Sequence, residues 1–163
     1  MPGAYLFGWD ADAKVYRKVL VDEAGHMLTI AEGVGGTMYW SCTGVHFDIH
    51  SEYYNPALKS NTGTISTNEL GSLFVANVTL PHGATVTSCK VLGNAVAQTT
   101  LWTLKRIKMS DQTLTAMASA YINTADTTIS SPVIDNSLYG YYLYTGDTLN
   151  GYILYGALIT YTI

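Results

Sequence analysis

A chain of 163 residues fits one domain of ordinary size, long enough to bury about two-thirds of the surface it would expose unfolded. Charged residues make up only 12%, yet no stretch approaches the roughly 18 consecutive apolar residues of a spanning helix, which excludes that class of membrane protein. Eight Lys and Arg against twelve Asp and Glu, a net charge of −4, exclude nucleic-acid binding through a basic surface, and 21 Thr with 13 Tyr exclude a coiled coil and favour strands.

In chain order, the opening Met1-Pro2-Gly3-Ala4-Tyr5-Leu6-Phe7-Gly8-Trp9-Asp10 reaches an acid too soon for a secretory signal, so export by that route is not expected. Ala4–Trp9, Val15–Val21 and His26–Ala31 are short β-prone runs separated by Asp10-Ala11-Asp12-Ala13 and Asp22-Glu23-Ala24-Gly25, which predicts a three-stranded meander. Seven of the twenty charges fall between Asp10 and Glu23, whereas residues 61–163 hold nine. Two regions are implied: an arm over 1–36, ending in the flexible joint Gly33-Val34-Gly35-Gly36, and a larger body over 37–163. The arm is too small to bury a core of its own and must dock elsewhere.

From Val45 onward the pattern predicts eight strands, at about 45–54, 72–80, 84–92, 99–109, 113–122, 127–134, 139–145 and 152–163. Pro81-His82-Gly83, Gly93-Asn94 and Gly146-Asp147 supply the breaks, and Pro132, lacking an N–H, belongs at an edge or bulge. In the last strand Ile153, Tyr155, Ala157, Ile159, Tyr161 and Ile163 are predicted to share one face, with the C-terminus tied into a sheet. The fold class is therefore all-β, an antiparallel β-sandwich of jelly-roll type preceded by a small meander arm.

Chemistry is sparse. Period two along Val45–Glu52 puts His46, Asp48, His50 and Glu52 on one face, a ligand set that suits Zn, Fe, Mn or Ni. Neighbouring ligands along one strand lie about 6.5–7 Å apart and cannot all reach one ion. A solvated polar face is preferred to a metal enzyme or a metal- or proton-sensitive subunit contact, so no metal, cofactor or catalytic residue is assigned. Asp111, Asp126, Asp135 and Asp147 read as turn residues rather than a glycosidase pair. Lys105-Arg106-x-Lys108 is split by alternation, Trp102, Leu104 and Arg106 opposing Lys105, Ile107 and Met109. Cys42 and Cys89 read as buried free thiols. Tyr139, Tyr141, Tyr142 and Tyr144 open a late concentration of rings that serve core packing, a subunit interface or stacking on a glycan.

Two stretches resemble virion structural proteins of tailed bacteriophages. Leu6-Phe7-Gly8-Trp9-Asp10, Val15-Tyr16-Arg17-Lys18-Val19-Leu20-Val21-Asp22 and Gly25-His26-Met27 look like a short module recurring in phage structural proteins. Leu80–Thr87, Ile134–Tyr144 and Leu158–Tyr161 are similar to β-sandwich domains of phage head or tail. The resemblance implies a non-enzymatic protein made in the host cytoplasm and built into the virion. It would be a trimeric capsid decoration or head-fibre protein whose partners are copies of itself and virion proteins such as the major capsid protein. Tyr5, Phe7, Trp9, Tyr16, Arg17 and Met27 would anchor it, with neither nucleic acid nor membrane engaged. The alternative is a tail-fibre, receptor-binding or carbohydrate-binding sandwich.

Overall fold

Runs rich in Thr, Tyr, Val and Ile become strands because β-branched and aromatic side chains pack well on a pleated surface. The computed structural model describes residues 6–10, 15–21, 27–28, 36–50, 57–68, 70–146 and 148–163, the first three segments as backbone. Contacts divide the chain into two units, Met1–Val34 and Gly35–Ile163.

In the first unit β1 (Leu6–Asp10), β2 (Val15–Val21) and β3 (Met27–Leu28) form an antiparallel sheet in that order, as the turn spacing predicts. Leu6 pairs with Val19, Asp10 with Val15, and Leu20 with Leu28. The side chains of Phe7, Trp9, Tyr16, Arg17 and Met27, and all of Tyr5, lie outside the described residues.

The second unit holds β4 (Met38–Thr43), β5 (Asp48–Ile49), β6 (Leu58–Lys59), β7 (Ile65–Thr67), β8 (Phe74–Val78), β9 (Thr85–Gly93), β10 (Leu101–Lys108), β11 (Leu114–Tyr121), β12 (Ala125–Asp126), β13 (Tyr139–Thr145) and β14 (Tyr152–Thr162). They form two antiparallel sheets, β11-β10-β13-β8-β5 and β12-β9-β14-β7-β6, with β4 also paired to β14. This is the all-β fold that composition predicts and the jelly-roll-type sandwich that the strand spacing predicts. No helix long and apolar enough to cross a membrane occurs among the described residues.

Alternation explains the core. Trp102 and Leu104 of β10, Leu143 of β13, and Phe74 and Ala76 of β8 face Val91 of β9 and Leu154 and Ile159 of β14, all essentially inaccessible to solvent. Phe74 and Tyr152, from opposite sheets, stack with ring centroids 5.7 Å apart. The Trp102 indole N–H donates to the carbonyls of Tyr121 and Thr124 at 3.1 and 3.2 Å, so the largest buried side chain brings no unpaired donor into the core.

Several expectations need correction. Of the strand expected at 45–54, the described residues 45–50 form the end of a 3-10 turn at Gly44–His46 and then the two-residue β5, while 51–54 lie outside the described residues. No strand forms over 127–134. The Asp126 carboxylate accepts the Thr128 N–H and turns the chain, Ser131 takes φ 50° before Pro132, and one bridge from Val133 to Thr85 remains. Pro132 nevertheless borders the sheet, its carbonyl accepting the Val86 N–H. The last strand does not keep one face: Tyr152 and Leu154 point inward, then Ala157 and Ile159, because the register shifts between Leu154 and Gly156. Ile153 and Tyr155 are thereby turned away from the core. Unpredicted strands β4, β6 and β7 complete the second sheet, β14 pairing with β7 through Leu154 and with β4 from Gly156 onward.

Candidate functional site

The unbroken register of β13 with both neighbours lays two rows of side chains across the outer face of the five-stranded sheet. Ser119, Thr103, Tyr144, Val75 and Asp48 align in one row, and Lys105, Tyr142 and Asn77 in the other. Their inward neighbours Leu104, Leu143 and Ala76 are buried, which is why these side chains stand on the other face. Tyr142 and Tyr144 are half-buried, Ser119, Asn77 and Asp48 exposed.

Polar contacts fix this face. Thr103 and Ser119 share a hydroxyl hydrogen bond at 3.2 Å, and the Ser119 hydroxyl donates to the Trp102 carbonyl at 2.8 Å. The Lys105 ammonium lies 4.0 Å from the Tyr144 ring centroid, an attraction worth about 0.5–1 kcal/mol at an exposed site and therefore displaceable by a ligand. Burial, followed by the neighbouring Tyr144, pushes the Tyr142 phenol up, so it is a neutral hydrogen-bonding group at physiological pH.

The other two tyrosines of the run do different work. Tyr141 is buried, and its hydroxyl accepts the Asp135 N–H at 2.8 Å. Tyr139 packs against the core with the Arg106 guanidinium 4.5 Å from its ring centroid. A contact role for the run thus narrows to Tyr142 and Tyr144. Lys105 and Arg106 do oppose one another as alternation predicts, while Lys108 pairs with Asp111 at 2.9 Å.

At the β5 edge of this face lies an open cleft of about 610 Å³, within the range of small-ligand sites. Trp40 and Cys42 of β4 line it together with His46, Asp48, Ile49 and His50, and with the outward-facing Val75 and Asn77 of β8. A glycine makes the route possible: a Cβ on Gly44 would fall 2.2 Å from the Leu154 carbonyl oxygen, so only Gly permits the tight crossing from β4 to β5. Phe47, wholly buried, then pins the segment to the core.

His46, Asp48 and His50 therefore share one cleft, though not as one strand face, since His46 belongs to the turn. Glu52 lies outside the described residues. His46 Nδ1 is hydrogen-bonded with the Thr43 hydroxyl at 3.0 Å, and Asp48 accepts from Lys59 Nζ at 2.6 Å. No group of three or more His, Cys, Asp or Glu side chains is gathered to hold a metal ion among the described residues.

The remaining acids act as turn residues. Asp111, Asp126 and Asp135 accept the N–H groups of Thr113, Thr128 and Ser137 respectively; Asp147 lies outside the described residues. Hydrogen bonds from Ser137 hold the Asp135 carboxyl below the usual carboxylate range. Both cysteines are free; burial pushes up the thiols of Cys89 in the core and half-buried Cys42, and neither is poised as a thiolate.

Sequence reasoning missed Trp40, Asn77 and Thr103. The run Met38-Tyr39-Trp40-Ser41-Cys42-Thr43 carries a strand signal, two aromatics followed by Ser, Cys and Thr, but it precedes Val45, where the predicted strands begin.

No family model and no curated protein matches the chain. Among solved structures it is similar to the xylan-binding module CBM15, at 14% identity over 77% of this chain and 97% of that one, TM-score 0.43. It is also similar to a low affinity xylan binding module, CBM86, from Roseburia intestinalis, at 12% identity over 77% and 96%, TM-score 0.44. A family two carbohydrate esterase from Cellvibrio japonicus aligns at 6% identity over 78% of this chain and 34% of that one, TM-score 0.35. These likenesses are too distant to bear on a ligand.

Proposed function

We propose that the sandwich is a non-catalytic glycan-binding module that takes a saccharide chain across the outer face of its five-stranded sheet. The supporting observation is the pair of cross-strand rows in which Tyr142 and Tyr144 stand amid Thr103, Ser119, Asn77 and Lys105. Pyranose rings offer an apolar face and a rim of hydroxyls. Tyrosines set among small hydroxyl and amide side chains match both, with little rotamer entropy to lose. Non-catalytic action is favoured because Asp111, Asp126 and Asp135 each serve a turn. The test is calorimetric titration of the full chain with a panel of neutral oligosaccharides. Binding that weakens in Tyr142→Ala and Tyr144→Ala at unchanged melting temperature is expected; no binding across the panel would overturn the reading.

A second reading is favoured by the separate unit at Met1–Val34, whose β1–β3 sheet coincides with the stretch that resembles a phage module. In that reading the unit attaches the chain, as a homotrimer, to virion proteins such as the major capsid protein, and the sandwich projects outward as a fibre or decoration. The two readings are compatible, since a glycan-binding face is useful on a displayed module. Removal of residues 1–36 is expected to abolish incorporation into particles; full occupancy by the truncated sandwich would sink the attachment role.

A further inference from the structure

We propose that the cleft between β4 and β8 is a saccharide subsite of its own, taking a neutral pyranose at the end or branch of a chain lying on the tyrosine face. The inference rests on the glycan-binding reading and extends it.

Three observations carry it. The cleft is continuous with the tyrosine face through two residues: Asn77 and Val75 line it and also stand cross-strand from Tyr142 and Tyr144. A ligand leaving the tyrosines over β8 therefore enters the cleft without crossing an intervening strand. Its far wall carries Trp40, half-buried and packed against the core, a flat indole that is held in place and partly open. Saccharide rings stack on such a surface through their C–H faces.

The polar lining chooses the ligand's charge. Asp48 is matched by Lys59 at 2.6 Å, so the carboxylate offers acceptor oxygens with its charge compensated. His46 is tied through Nδ1 to Thr43, which orients the imidazole and leaves Nε2 for a hydroxyl. Asn77 is exposed and adds an amide donor and acceptor. Bidirectional donors and acceptors around a ring platform suit hydroxyls. An acidic sugar would face Asp48 and a cationic ligand Lys59, so a neutral ring is favoured on both counts.

The test uses the full chain and a ladder of short and long oligosaccharides of whichever neutral type the panel identifies, read by calorimetry and tryptophan emission. The chain has three tryptophans, Trp9, Trp40 and Trp102, so the part of the emission change that is lost in Trp40→Phe is the one that reports the cleft. Long oligomers are expected to bind more tightly than short ones and to shift Trp40 emission. His46→Ala, which lies in the cleft and in neither row, should weaken long oligomers about tenfold, roughly 1.4 kcal/mol, and short ones little, whereas Tyr144→Ala weakens both. Equal affinities, unchanged emission and an inert His46→Ala, with Tyr144→Ala still weakening binding, would overturn the cleft subsite and leave the tyrosine face standing. Binding of no neutral oligosaccharide would overturn both.

Discussion

The central strand of the five-stranded sheet, β13, keeps one register along β10 and along β8, whereas the central strand of the other sheet, β14, shifts register twice against β9 and changes partner from β7 to β4. An even register produces straight rows of side chains, and rows are what an extended ligand can follow. A shifting register produces bends, and at Gly156 the bend takes a backbone conformation that favours glycine. The two sheets thus divide the work: the first presents the side-chain rows, while the second fixes how the chain is routed and carries β4 to the wall of the cleft.

The sharpest way to break that division is at Gly156, where β14 changes partner. It has φ 153°, and a Cβ there would lie 2.2 Å from the Cys42 carbonyl oxygen and 3.1 Å from the Thr43 Cα. Gly156→Ala is expected to cost about 4 kcal/mol or more, measured by denaturant melts, because two backbones would have to separate. Gly83→Ala is the control. Its φ is 83° but nothing lies within 4 Å of the added Cβ, so the loss should be roughly 1 kcal/mol. Equal losses would show that close strand approach adds nothing to dihedral strain at Gly156.

Next in size is Trp102→Phe. Losing the indole N–H leaves the Tyr121 and Thr124 carbonyls without that donor, and the smaller ring leaves a void, for a combined loss of about 2–3 kcal/mol. Trp102 lies on the sheet that presents the rows, so its replacement tests whether the two faces are separable. Stability should fall while a ligand on the tyrosine face, if bound at the melting midpoint of neither protein, is held with unchanged affinity.

What was legible in the sequence follows the same division. Tyr139–Thr145, in straight register with both neighbours, and Leu101–Lys108, in straight register with β13 though shifted against β11 between Leu104 and Lys105, are near their predicted positions, because alternation and β propensity act locally. The face of β14 was misread because a bulge at Gly156 reverses inside and outside, and a bulge is set by packing against β4, a partner distant in sequence. Asx turns at Asp111, Asp126 and Asp135 were legible since each carboxylate bonds an N–H two residues on. The cleft was half legible. His46, Asp48 and His50 stand out, but Trp40 reaches them through a crossing between sheets that short-range patterning does not encode.

Smaller effects are expected from the tyrosines. Tyr142→Ala and Tyr144→Ala remove half-buried rings from a solvated face and should change stability by about 1 kcal/mol or less, while each weakens glycan binding about tenfold. Stability losses as large as those at Trp102 would mean that the rings serve packing first, and the contrast between the sheets would lose its functional half.

The smallest effect belongs to the polar end of the β10–β11 hairpin. Hydrogen bonds from Lys108 and then Thr113 hold the Asp111 carboxyl below the usual carboxylate range. The group is deprotonated more readily folded than unfolded, so its contribution is present at neutral pH and fades as pH falls below about 4, where unfolded aspartate takes up protons first. Both partners are open to solvent, which screens the pair and keeps the contribution small. Asp111→Asn should therefore melt slightly below the parent at neutral pH, and the gap should close as pH falls below 4 and shrink with added salt. A gap that fails to narrow at all below pH 4 would show that the loss comes from the turn hydrogen bond to Thr113 rather than from the carboxylate's charge. A large gap at neutral pH would show that the surface of the five-stranded sheet holds the fold together as well as presenting its side chains, which is the outcome the division between the sheets forbids.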